Sequence, residues 1–229
     1  MEKYAEYIKE IEILSLWKGR KHILWHLDPQ VNVLSGANGI GKSTILRRVV
    51  SGVMALGEES KLDIRIVTHP EDARLLRYDV ITTPDVRSEF DSNINMLQER
   101  IIHFPHNERW DLFCDIVDRM FTATEKTIVR SASIVALMQW GEPLDLRLLS
   151  SGEKQLLTIL MTVLLEDGGH TVLFMDEPEV SLHIEWQQAL IETILLLNPN
   201  VQIILSTHSP AIIMNGWIDR VTEVSDITL

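Results

Sequence analysis

The sequence predicts an α/β fold with a parallel central sheet. Thr171–Met175 and Val201–Leu205 are short, uninterrupted apolar runs, the pattern of strands buried on both faces. Between them, His183–Leu197 sets Trp186, Ala189, Leu190, Thr193, Ile194 and Leu197 on one helical face, so the three segments read as strand, helix, strand. A third apolar run, Val31–Ser35, leads through a glycine-rich loop into another helix-period segment.

In chain order, Ile11–Trp17, Lys21–Leu27 and Val31–Ser35 are strand-like runs separated by Lys18-Gly19-Arg20 and Asp28-Pro29-Gln30. An antiparallel N-terminal layer is expected to flank the parallel sheet, with Trp17 and Trp25 read as core residues. His22 and His26 have the spacing of a helical metal pair but fall on a strand, so no metal role is assigned to them. The helix opening at Gly41 buries Ile45, Leu46, Val49 and Val50 and turns Arg47 and Arg48 to solvent. Residues 60–85 read as strands and loops. Ser88–Phe121 is amphipathic, with Ile94, Leu97 and Ile101 and then Trp110, Phe113, Val117 and Met120 at helical spacing; Pro105 splits it into two helices. This helical subdomain, about 88–123, is inserted in a single domain spanning 1–229. Thr127–Trp140 is strand-like, and Gln155–Leu165 is a helix ended by Gly168-Gly169.

Composition excludes several classes. With 33 acids against 21 bases the net charge is −12, which argues against a whole-surface attraction to nucleic acid or anionic lipid. The single cysteine, Cys114, rules out an internal disulfide and fits a reducing compartment. Leu156–Leu165, the longest apolar stretch, is too short to span a bilayer, and Met1–Glu6 shows no apolar signal core. A cytoplasmic location without membrane insertion is expected. No sustained heptads or internal repeats occur.

Two motifs carry the chemistry. Gly36-Ala37-Asn38-Gly39-Ile40-Gly41-Lys42-Ser43 matches the P-loop pattern between a strand and a helix. Its glycines let successive N–H groups point at phosphate oxygens, and the helix start adds its positive end. Gly36, Asn38, Gly39, Ile40, Gly41, Lys42, Ser43 and Thr44 are the candidate phosphate residues, with Lys42 on the β- and γ-phosphates and Ser43 on Mg²⁺. Val172–Met175 followed by Asp176-Glu177 puts two carboxylates at the same sheet edge. Asp176 would complete the Mg²⁺ shell, and Glu177 would accept a proton from an attacking water.

Leu149-Ser150-Ser151-Gly152-Glu153-Lys154-Gln155 resembles the signature motif of the ABC ATPase superfamily. The transporter form reads Leu-Ser-Gly-Gly-Gln; here Ser151 replaces the first glycine and Glu153 the glutamine. The Gly-Glu-Lys-Gln ending is more similar to SMC-like, RecF-type and OLD-type ATPases. Glu177-Pro178-Glu179-Val180-Ser181-Leu182-His183, followed by Trp186-Gln187, resembles OLD-like and related AAA-type ABC ATPases, common in DNA-repair and phage-defence loci. Ser206-Thr207-His208-Ser209 resembles the switch-histidine segment. The resemblance covers about 10–55 and 140–225.

It implies an ATPase using ATP and Mg²⁺ and working as a head-to-tail homodimer. Ser150, Ser151 and Gly152 of one subunit would cap the nucleotide on the other, and His208 would sit near the γ-phosphate. A separate effector protein would supply any downstream chemistry, and nucleic acid would be engaged only through such a partner. Two departures stand out. The family's glutamine loop has only Gln98 as a candidate, and its adenine platform only Trp17 or Trp25. The rival readings are a transporter's ATPase subunit and an ATP-gated scaffold with little turnover.

Overall fold

The computed structural model describes residues 3–56, 63–82 and 87–229. The ends of the expected strand-and-loop stretch 60–85, residues 60–62 and 83–85, lie outside the described residues. The chain divides into two compact units: residues up to Thr82 with Gly169–Pro178 and Asn200–Leu229, and Thr83–Gly168 with Glu179–Pro199.

The first unit opens with a two-residue parallel pair, β1 (Tyr4–Ala5) with β6 (Leu75–Leu76). An antiparallel sheet follows, with β2 (Tyr7–Leu16) between β3 (Lys21–His26) and β5 (Ile64–His69). β2 starts earlier than the apolar run suggested, because Lys9 and Glu10 lie away from the core while Ile8 and Ile11 face it. The main sheet is parallel throughout, in the order β13 (Val221–Glu223), β4 (Val31–Ser35), β12 (Val201–Ser206), β11 (Thr171–Asp176), β7 (Tyr78–Thr82).

Between the two sheets, Ile8, Ile11 and Trp25 share a core with Phe174 and Ile204 of the main sheet and with Ile45 and Val49 of α1 (Lys42–Met54). Removing the Trp25 side chain would cost about 3–5 kcal/mol. Gln202, buried inside β12, stitches the layers: its amide donates to Ile8 O and Asp28 O and accepts from Ile8 N, each at 2.8 Å. Hydrogen bonds at both ends of this buried amide offset its desolvation cost. The strand histidines pair with β2 carboxylates, His22 with Glu12 at 3.0 Å and His26 with Glu10 at 3.1 Å. α6 (Pro210–Met214) follows the last buried strand.

The second unit packs α2 (Arg87–Ile101), α3 (Glu108–Phe121), α4 (Ser151–Leu165) and α5 (Ile184–Leu197) with a small antiparallel sheet, β8 (Lys126–Ile128), β9 (Leu137–Gln139) and β10 (Glu142–Leu144). Pro105 separates α2 from α3, and Asn107 caps α3 by accepting from Arg109 N and Trp110 N. α4 is buried all along, Gly152 to Leu164, as its apolar sequence requires. No helix among the described residues is long and apolar enough to cross a membrane.

Candidate functional site

The P-loop closes on itself through glycine geometry. Gly36, Gly39 and Gly41 have φ of 145°, 76° and 106°, which side-chain-bearing residues rarely adopt. Ile40 packs against the core below the loop and anchors it. Gly41 N-caps α1 without a side-chain cap, and the positive end of the helix faces the loop. Lys42 is 4% exposed, with Nζ 3.0 Å from Gly36 O and 3.4 Å from Ala37 O.

The two carboxylates flank this loop within the same unit. β11 and β12 run parallel in register, Asp176 opposite Ser206. Asp176 Oδ1 accepts from Ser206 Oγ at 2.5 Å and from Ser43 Oγ at 2.9 Å. Glu177 leaves the strand in the left-handed region, φ 49°, with its N–H donating to Ser206 O at 3.0 Å. Its side chain is thereby turned off the strand and stays 41% exposed. His208 Nε2 lies 2.5 Å from Lys42 Nζ and 3.7 Å from Glu177 Oε1. A lysine, a histidine, a general-base candidate and a Ser–Asp pair thus converge on one loop.

This donor set fits Mg²⁺ beside a nucleotide. The Ser43 hydroxyl and Asp176 carboxylate present adjacent hard oxygens. No group of three or more His, Cys, Asp or Glu able to hold a metal occurs among the described residues, and an ion held chiefly by phosphate oxygens and water needs none.

Trp17 departs from the expectation of a core residue. It follows β2 at φ 50° in the turn and is 38% exposed, whereas Trp25 is buried. The turn carries its ring over the P-loop: a Cβ on Gly41 would lie 2.2 Å from Trp17 Cη2. Lys21 Nζ lies 5.4 Å from the Trp17 ring centroid. Gln98 is committed elsewhere, donating to Val135 O at 2.6 Å and accepting from Val135 N at 2.8 Å. Both ends of its amide thus brace the chain ahead of β9.

The signature residues belong to the helical unit. Ser150 caps α4 in a reciprocal capping box with Glu153. Ser150 and Ser151 are exposed, while Gly152 packs so closely that a Cβ there would lie 2.2 Å from Ser181 O. Glu153 is buried and pairs with Lys126 at 2.7 Å. Burial pushes its carboxyl up, but hydrogen bonds from Lys126 and Ser150 outweigh that and leave its pKa lowered. Lys154, also buried, pairs with Asp91 of α2. A cavity of about 840 Å³ adjoins the start of α4, lined by Met120, Leu182, His183 and Trp186.

Sequence reasoning did not anticipate the Ser206–Asp176 and Lys126–Glu153 contacts. Ser206 was visible only as part of its motif; the register of two strands ending at Asp176 and Ser206 was the available signal. Lys126 carried none, since its partner is distant in sequence.

Solved structures share this fold. An SMC head bound to the C-winged helix domain of ScpA superposes with a TM-score of 0.64 at 12% identity, over 91% of each chain. The SMC head domain from Thermotoga maritima gives 0.60 at 14% identity, over 95% of this chain and 94% of that one. CbiO1 from Clostridium perfringens, part of the ABC transporter complex cbiONQ, gives 0.50 at 20% identity, over 89% and 79%. The chain thus has the P-loop NTPase fold that SMC heads and ABC ATPase subunits share. More particularly, the chain belongs to the AAA_21 family, described as "AAA domain, putative AbiEii toxin, Type IV TA system", which matches residues 69–215, more than half of the chain. The "Retron Vc95 probable ATPase" of Vibrio cholerae serotype O1 biovar El Tor is 25% identical over 107 residues. That match takes in 45% of this chain and only 20% of the retron protein.

Proposed function

We propose that this chain binds and hydrolyses ATP with Mg²⁺, using Lys42, Ser43, Asp176 and Glu177. The observation that carries the reading is the Ser43–Asp176 contact of 2.9 Å beside the buried Lys42. The P-loop amides and Lys42 bind the β- and γ-phosphates. Ser43 holds Mg²⁺, with Asp176 ligating it directly or through water and Ser206 fixing the Asp176 carboxylate. Bound there, Mg²⁺ supplies charge neutralisation on the phosphate oxygens. Glu177 takes a proton from water as the water oxygen bonds to the γ-phosphorus; the bond from that phosphorus to the bridging oxygen breaks, and ADP keeps the electron pair. His208 leaves Lys42 and steadies the γ-phosphate. The Trp17 ring offers an apolar face beside the loop for adenine.

The whole chain, 1–229, serves as one ATPase domain in the cytoplasm. ATP joins two copies head to tail, with Ser150, Ser151 and Gly152 of each facing the phosphates held by the other. The SMC-like fold and the exposed signature serines support that arrangement. Similarity to part of a retron ATPase favours work as the motor or switch of a defence-type system, with a separate effector protein and nucleic acid engaged only through a partner.

The test is nucleotide titration calorimetry together with light scattering. Lys42→Ala should abolish measurable ATP binding. Glu177→Gln should bind ATP·Mg²⁺ and show new association that ADP does not cause. ATP binding without association at any accessible concentration would refute the shared site and leave the P-loop reading standing.

A further inference from the structure

Lys126 lies in β8, in a stretch without any recognised motif, yet it reaches the signature. Its Nζ is 2.7 Å from Glu153 Oε1, and the two side chains are only 10% and 6% exposed. The other oxygen, Glu153 Oε2, accepts from Ser150 N and from Ser150 Oγ, each at 2.9 Å. An ionised carboxylate only accepts, so the Ser150 hydroxyl hydrogen points inward, and Glu153 N donates back to Oγ at 3.3 Å. With Glu153 N spent on that bond, α4 offers an anion the Ser150 hydroxyl and the positive end of its dipole.

This places a buried negative charge one helical turn from a start that would receive phosphate. Uncompensated, Glu153 would repel the anion and hold the hydroxyl away from it. We propose that Lys126 is a positioning residue for phosphate recognition at the signature: it cancels the charge of Glu153 and so frees the Ser150 hydroxyl to turn toward an incoming phosphate. The inference rests on the shared-site reading above. Lys126 and Glu153 together then do what a neutral glutamine does alone, since glutamine also completes a capping box.

The consequence is a pair of opposite signs. K126M leaves a net negative charge beside the helix start, E153Q leaves a net positive one, and the double variant leaves neither. A role confined to stability would move both single variants the same way. Steady-state ATPase kinetics on the full chain read the difference. K126M should raise the KM for ATP roughly ten-fold, the order expected for one unit charge at such range in a protein environment. E153Q should lower it, and K126M/E153Q should return it to near the wild-type value. Single variants shifting in the same direction, or a double variant no better than K126M, would overturn the proposal. If K126M does not fold, E153Q decides alone: a KM raised or unchanged overturns it. S150A separates the two layers. Wild-type kinetics in S150A would sink the shared-site reading and this proposal with it, whereas an impaired S150A beside same-direction single variants would sink the proposal only.

Discussion

Ser206 and Asp176 end adjacent parallel strands in register, and the Ser206 hydroxyl donates to the Asp176 carboxylate at 2.5 Å. Ser206 is completely buried, so that bond is shielded from water. Asp176 Oδ1 is thereby fixed where Ser43 also reaches it. Ser206→Ala should leave Asp176 free to rotate while sparing Lys42 and the loop. Loss of such a supporting bond typically costs 10–100-fold in metal affinity or activity. The Mg²⁺ concentration for half-maximal ATPase should rise by about that factor. An unchanged Mg²⁺ curve would mean that Asp176 is held by other means.

Gly41 lies under Trp17 and has φ 106°. Gly41→Ala meets both a backbone penalty of roughly 1–2 kcal/mol and a collision with the indole. ATP affinity by calorimetry should fall more than about ten-fold, since a roughly 1.4 kcal/mol loss already costs that much. Adding Trp17→Ala should recover part of the loss, because only the collision is relieved. A double variant as weak as Gly41→Ala alone would assign the whole effect to the backbone.

Much of this arrangement was legible in sequence, and the reasons are local. Lys42, Ser43, Asp176 and Glu177 lie in contiguous motifs at strand ends, where the backbone path follows from a few residues. The parallel strands β11 and β12 announced themselves because both faces are buried. Trp17 was misread because a turn residue at positive φ escapes the alternation of the strand before it. Lys126 and Ser206 were missed because their partners, Glu153 and Asp176, are 27 and 30 residues away. Gln98 shows the reverse case: its residue type suited a glutamine loop, but its amide is spent on Val135.

Gly152 tests the close packing at the start of α4. Alanine gains about 1 kcal/mol over glycine in a helix, so a bare propensity argument predicts stabilisation. A Cβ 2.2 Å from the Ser181 carbonyl predicts the opposite, because backbone does not yield cheaply. Gly152→Ala should lower the melting temperature by several degrees, a shift corresponding to about 1–2 kcal/mol in a domain of this size. A raised melting temperature would mean that the Ser181 segment gives way freely.

Cys114 is fully buried, and burial pushes its thiol up to about 11. The folded thiol binds its proton more tightly than the unfolded one. Its contribution is therefore complete below the unfolded value near 9 and is lost as pH rises toward 11. Native protein at pH 8 should react with a disulfide reagent far more slowly than urea-unfolded protein, and melting temperature should decline between pH 9 and 11. Rapid native labelling at pH 8 would show that the site opens readily.

If Glu177 takes the proton from the water that attacks ATP held by Lys42 and Ser43, losing its basicity should slow the chemistry and spare binding. Single-turnover phosphate release with ATP·Mg²⁺, measured beside nucleotide affinity on the same samples, tests it most directly. Glu177→Gln keeps the shape of the side chain but loses its basicity, and general-base loss is typically worth about 10²–10⁴ in rate. Wild-type ATP affinity with phosphate release slowed by that range is expected. Release from Glu177→Gln at the wild-type rate, with ATP bound normally, would contradict it.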